Sequence, residues 1–175
     1  MTVFNLFFGH NSAHDSMSQK GKLMTTITAP HSQALWMLNS LMIERVTADQ
    51  TNGAYSMLEQ WVTADGNPLP HVHTHEDEAF LVVDGELDVT VGETTTRLGP
   101  GEFAFAPRGV PHTYAVVDGT AHLYVIATPG GIEGFFRDVG EPAVALEMPA
   151  PSTPDVAAVV STAARHGISI LPPPA

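Results

Sequence analysis

The chain has 175 residues, 43 % of them apolar and 15 % charged, which suits one globular domain with a sizeable core and excludes general disorder. Nineteen acidic residues against seven basic ones give a net charge of −12, a balance that repels phosphate backbones and anionic bilayers and argues against a nucleic-acid or membrane partner. With no cysteine, disulfides, thiolate nucleophiles and Cys-based zinc sites are ruled out.

Residues 1–34 read as an N-terminal extension. Its opening, MTVFNLFFGH, has a short apolar patch without a basic stretch before it or a clear cleavage site after it. No run approaches the roughly 20 apolar residues of a spanning helix, so the expected location is cytoplasmic. After Phe8 the segment turns polar. It is expected to be partly disordered, or swapped onto a partner subunit that shelters Val3, Phe4, Leu6, Phe7 and Phe8.

Residues 35–128 read as successive short strands. Ala54 to Val62, Glu78 to Val83, Leu87 to Val91, Thr94 to Leu98, Phe103 to Ala106, Thr113 to Val117 and Leu123 to Ala127 are β-rich. Turn signals such as Asp65-Gly66-Asn67-Pro68, Asp84-Gly85, Gly99-Pro100-Gly101 and Asp118-Gly119 separate them. Many short strands with a turn every few residues predict an all-β sandwich or small barrel.

Residues 129–175 form a C-terminal helical extension. Ile132, Phe135, Phe136 and Val139 recur at helical spacing before Gly140, and Val156, Val159, Val160 and Ala163 make a second stripe. Ser152 or Thr153 is the expected cap of that second helix, Gly167 its end, and Ile168 to Leu171 a last extended piece. Both helices are expected to pack against the outside of the barrel.

One stretch carries chemistry: Pro70-His71-Val72-His73-Thr74-His75-Glu76-Asp77-Glu78. Side chains alternate along a strand, so His71, His73 and His75 can all face one side. Two imidazoles two residues apart can grip one ion, and a carboxylate from a neighbouring strand can complete the set. A second stretch, Gly101 to His112, places another histidine just after a Pro/Gly turn.

Together the two stretches resemble the paired signature motifs of the cupin superfamily. Gly66, His71, His73, Glu78 and Gly85 match the first, with the gap after Gly66 one residue shorter than usual. Gly101, Pro107, Gly109 and His112 match the second, with Val116 where Asn is usual. The resemblance implies a jelly-roll barrel holding one divalent transition metal (Fe, Mn, Ni, Co or Zn) on His71, His73, Glu78 and His112. His75 is left at the rim, and Glu76 and Asp77 are read as a solvated turn. His10, His14, His31, His122 and His166 are read as surface or packing residues.

The segment from Thr128 to Ala143 is similar to that of single-domain cupins related to bacterial quercetin 2,3-dioxygenases. That resemblance implies a small-molecule substrate of flavonol-like or other enolisable aromatic type, with dioxygen as co-substrate. Glu78 would serve as ligand and as base, beside a pocket of Phe80, Val82, Phe103, Phe105 and Tyr114. Two alternatives stay open: a non-oxidative metal-dependent isomerase or cyclase, and a small-molecule-binding cupin without turnover. A homodimer through barrel edges is also expected.

Overall fold

In the computed structural model of the chain, residues 34–172 are described; the expectations for the N-terminal extension and for His10, His14 and His31 lie outside them. Among the described residues, twelve strands form two antiparallel sheets. The larger has the order β11-β1-β2-β3-β10-β5-β8, from β1 (Ala34–Met37), β2 (Ser40–Val46), β3 (Ser56–Thr63), β5 (Asp77–Asp84), β8 (Phe103–Ala106), β10 (Thr120–Thr128) and β11 (Glu141–Pro142). The smaller has the order β12-β4-β9-β6-β7, from β4 (His71–His73), β6 (Leu87–Val91), β7 (Thr94–Leu98), β9 (His112–Val116) and β12 (Ile168–Ile170). This is the expected jelly-roll barrel. Short α1 (Ala48–Thr51), α2 (Glu133–Val139) and α3 (Val156–Arg165) lie outside the strands.

Alternation makes the core. Along β3, Leu58 and Val62 are buried facing in, and along β10 Leu123 and Val125 do the same. From the smaller sheet Leu87, Val89, Tyr114 and Val116 join them in one cluster, so the two sheets pack face to face.

The motif glycines are explained by space and conformation. Gly85 has φ +79, and a Cβ there would lie 2.8 Å from the carbonyl oxygen of Thr120. A Cβ on Gly66 would sit 2.9 Å from Cγ2 of Val62.

One sequence expectation shifts. α3 is capped by Asp155, whose side chain accepts from the Ala158 amide at 3.0 Å, rather than by Ser152 or Thr153. Those residues fall in the irregular stretch before the helix, where Ser152 instead bonds to Asn39. The expected final strand exists and pairs with β4, with Ile168 opposite His73. Among the described residues, no helix is long and apolar enough to cross a membrane.

Candidate metal centre

Two sheets meet at the site. His71 and His73 flank Val72 on β4, so both rings take the inward side. β4 pairs with β9 at His71 opposite His112, which adds a third imidazole to the same face. Glu78, next to the start of β5, approaches from the facing sheet. One donor atom from each of the four lies within 4.8 Å of the others, a group that could hold a metal ion.

The carboxylate is the centre of the group. Oε2 of Glu78 is 2.9 Å from Nε2 of His112, 3.4 Å from Nε2 of His73 and 3.8 Å from Nε2 of His71. On the far side of two rings, Nδ1 donates to a backbone carbonyl: His71 to Leu69 at 2.8 Å and His112 to Val110 at 2.9 Å. A carbonyl only accepts, so those Nδ1 atoms carry a proton, and the Nε2 of each ring faces Glu78. His112 can then bond the carboxylate only by taking a second proton, or a cation can stand between them. Nε2 of His73 is buried without a hydrogen-bond partner, a costly state among the described residues unless an ion accepts its lone pair. The donor set therefore fits a divalent transition metal: three imidazoles, one carboxylate and no sulfur.

The charges agree with this. Burial alone would push the Glu78 carboxyl up, but the His112 bond and the adjacent His71 and His73 rings outweigh it and hold the group well below the usual carboxylate range. Burial likewise disfavours a charged His73, yet the Glu76 bond and the Glu78 and Glu76 charges raise it overall.

Glu76 departs from the sequence reading. It is 8 % exposed, not solvated, and its Oε2 lies 3.3 Å from Nδ1 of His73. The turn between β4 and β5 is so tight that this side chain folds back beneath His73. Asp77 opens β5 and takes both ends of the Arg108 guanidinium, which holds its carboxyl down at about 2. His75 is exposed and outside the donor group. His122 is a packing residue, stacked on Trp61 and bonded to Glu59 at 2.7 Å. His166 pairs with Asp138 at 2.8 Å.

A cavity of about 220 Å³ opens beside the donor group. Phe80 and Tyr114 line it, whereas Val82 is buried in the core and is not among the lining residues. Phe103 and Phe105 do not. Register sets Phe80 opposite Ala104 and Glu78 opposite Ala106, so the alanines of β8 face in and the two phenylalanines face out, 67 % and 54 % exposed. The parity of β8 could not be read from FAFA, where both faces are apolar.

Other lining residues went unread. Ile132, Phe135 and Phe136 around α2, Val156 and Val159 in α3, and Ile168 and Ile170 in β12 all reach the cavity. Their helical stripes were visible, but not that the stripes meet an open barrel mouth. Gln60 is one of the polar residues in the wall, with Asp65 and Asn67: it accepts from Tyr114 at 2.7 Å and donates to Ser40 at 3.1 Å. Burial and the Glu78 charge push the Tyr114 phenol up, so it remains a donor.

Residues 61–128 match the family model described as Cupin domain. Over 108 residues the chain is 24 % identical to quercetin 2,3-dioxygenase of Bacillus subtilis, a match covering 61 % of this chain and 32 % of that protein. An uncharacterized protein of Streptomyces coelicolor is 32 % identical over 60 residues, 34 % of this chain and 54 % of that one. The chain thus spans less than two thirds of either relative. Among solved structures, an RmlC-like cupin from Shewanella frigidimarina superposes with a TM-score of 0.52 at 16 % identity, over 62 % of this chain and 95 % of the other. KdgF from Halomonas sp. superposes with a TM-score of 0.50 at 17 % identity, over 55 % and 84 %. At such identities the structural matches speak for the fold alone.

Proposed function

We propose, from the Cupin domain match of residues 61–128, that this chain is a cupin and a metal-dependent dioxygenase of the quercetinase type, acting on a flavonol-like or other enolisable aromatic substrate. His71, His73, Glu78 and His112 hold one divalent ion in this reading, from among Fe, Mn, Ni, Co and Zn. When bound, the ion supplies Lewis-acid polarisation of a substrate oxygen and a path for electrons to dioxygen. The protein does the rest. Glu78, kept ionised among the histidines, is placed to take the proton of an enolic hydroxyl entering beside it. Phe80 and Tyr114 form a wall beside the site, and their rings are 5.6 Å apart. The Tyr114–Gln60–Ser40 chain of hydrogen bonds holds a polar part of that wall in place.

The observation that carries the reading is the character of the cavity. A three-histidine, one-carboxylate group stands at an apolar space whose described lining contains no Lys or Arg. Such a space favours a neutral, flat, apolar guest over a phosphorylated or carboxylated one. The partial likeness to quercetin 2,3-dioxygenase supports the same class. The test is oxygen uptake and carbon monoxide release with quercetin, using protein loaded in turn with each of the five metals. No turnover with any of them would remove the flavonol reading. Turnover of an enolisable substrate under nitrogen would favour the isomerase or cyclase alternative, and binding without turnover the third.

We also propose a homodimer through the outer face of β5 and β8, which presents Phe103, Phe105 and Val83 beside β8, the end strand of the larger sheet among the described residues.

A further inference from the structure

The three site histidines are not held alike. His71 and His112 each lean on a carbonyl two residues back, at 2.8 and 2.9 Å, so backbone that no substitution removes fixes their tautomers. His73 leans on a side chain, Oε2 of Glu76 at 3.3 Å. Both partners are buried, His73 at 1 % and Glu76 at 8 % exposure. The main chain of His73 is anchored independently, since its carbonyl accepts from the Gly109 amide at 2.8 Å and Ile168 lies opposite it on β12. Only the proton on the ring is left for Glu76 to decide.

We propose that Glu76 is a positioning residue of the metal centre, holding His73 as the Nδ1–H tautomer so that the Nε2 lone pair faces the other donors. The inference rests on the reading that the four clustered side chains bind a metal. Two observations point the same way from opposite sides of one ring. Nε2 of His73 is buried with no hydrogen-bond partner, and Nδ1 faces a buried carboxylate. A carboxylate behind a ligating imidazole fixes the ring's orientation and makes its free nitrogen a stronger donor. The neighbouring acid serves as a control, because Asp77 turns away to Arg108 and is not part of the donor group.

The test uses the full chain, stripped of metal, and reads two quantities. Zinc affinity is measured by competition with a chromophoric chelator, and the His73 tautomer of the metal-free protein by long-range proton–nitrogen NMR. Glu76→Leu removes the acceptor while keeping bulk, and Glu76→Gln retains an acceptor for Nδ1–H without the charge. The leucine variant is expected to bind zinc about 10–100-fold more weakly and to lose the single Nδ1–H tautomer. Glu76→Gln restores the tautomer and recovers part of the affinity, and Asp77→Asn changes neither. Wild-type affinity in Glu76→Leu, or an equal loss in both variants with the tautomer unmoved, overturns the role of Glu76. Wild-type protein that binds no zinc overturns the metal reading, and this inference with it. If Glu76→Leu does not fold, Glu76→Ala, which also lacks the acceptor, takes its place with the same expected results.

Discussion

Nε2 of His112 stands 2.9 Å from Oε2 of Glu78, a contact made across 34 residues of chain and between the two facing sheets. The pair closes the donor group, since His71 and His73 share a strand and need a partner from the other side. Removing it tests the whole assignment.

His112→Ala should therefore lose bound metal. Elemental analysis of the protein as isolated is expected to give a clear drop, with affinity falling by at least the 10–100-fold that a lost supporting partner costs. Unchanged metal content in the variant would end the four-donor assignment.

Two motif glycines should respond differently to alanine. Gly85 has φ +79, and a Cβ there would meet Thr120 and Ala121 backbone at 2.8 and 2.9 Å, whereas Gly109 has φ +76 and a Cβ there would meet open space. Gly109→Ala bears only the conformational strain, about 1–3 kcal/mol, and Gly85→Ala adds a steric clash to it. Denaturant unfolding should rank Gly85→Ala as the more destabilised, and the reverse order would contradict the close approach.

Glu133 ties α2 to the barrel. It accepts from Ser56 Oγ at 2.5 Å, the Ala48 amide at 2.6 Å and the Gly131 amide at 3.1 Å. Burial would raise its carboxyl, but these donors outweigh that and lower it below 4.5. A lowered folded value means stability fully present above about pH 4.5 and lost as pH falls through the folded pKa. Glu133→Gln should lower Tm at pH 7, and its deficit against wild type should shrink in acid. A deficit that stays constant from pH 7 to pH 3 would show that the charge is irrelevant.

The exposed pair on β8 predicts assembly. Phe103→Ser with Phe105→Ser should convert a dimer to a monomer in light scattering without lowering metal content, because both rings face away from the donors. A wild-type monomer at high concentration would dispose of the dimer.

Much of the site was legible because ligand spacing is a property of strands. HVH on one strand and a carboxylate five residues beyond His73 imply converging donors without any knowledge of loops. The barrel was legible for a similar reason, since turn residues punctuate every strand. What stayed hidden depends on contacts distant in sequence. Glu76 sits in an acidic run that reads as solvated, and only the tight return between β4 and β5 buries it against His73. Phe103 and Phe105 read as lining because FAFA is apolar on both sides, and pairing with β5 decides which side is in. At Val116, where Asn is usual, Oδ1 of Asn67 accepts from the backbone amide at 2.9 Å and ties the loop before His71 to the strand of His112, a contact between segments 49 residues apart.

Phe135, Phe136, Val159 and Ile168 lie past residue 128, where the stretch shared with the family ends, while every donor of the metal group lies before it. Substitutions in the tail would therefore recut the cavity without touching a donor side chain. There is one limit to that freedom. Ile168 to Ile170 pair with the strand bearing His71 and His73, so a successful new tail must still end in a strand that supports them.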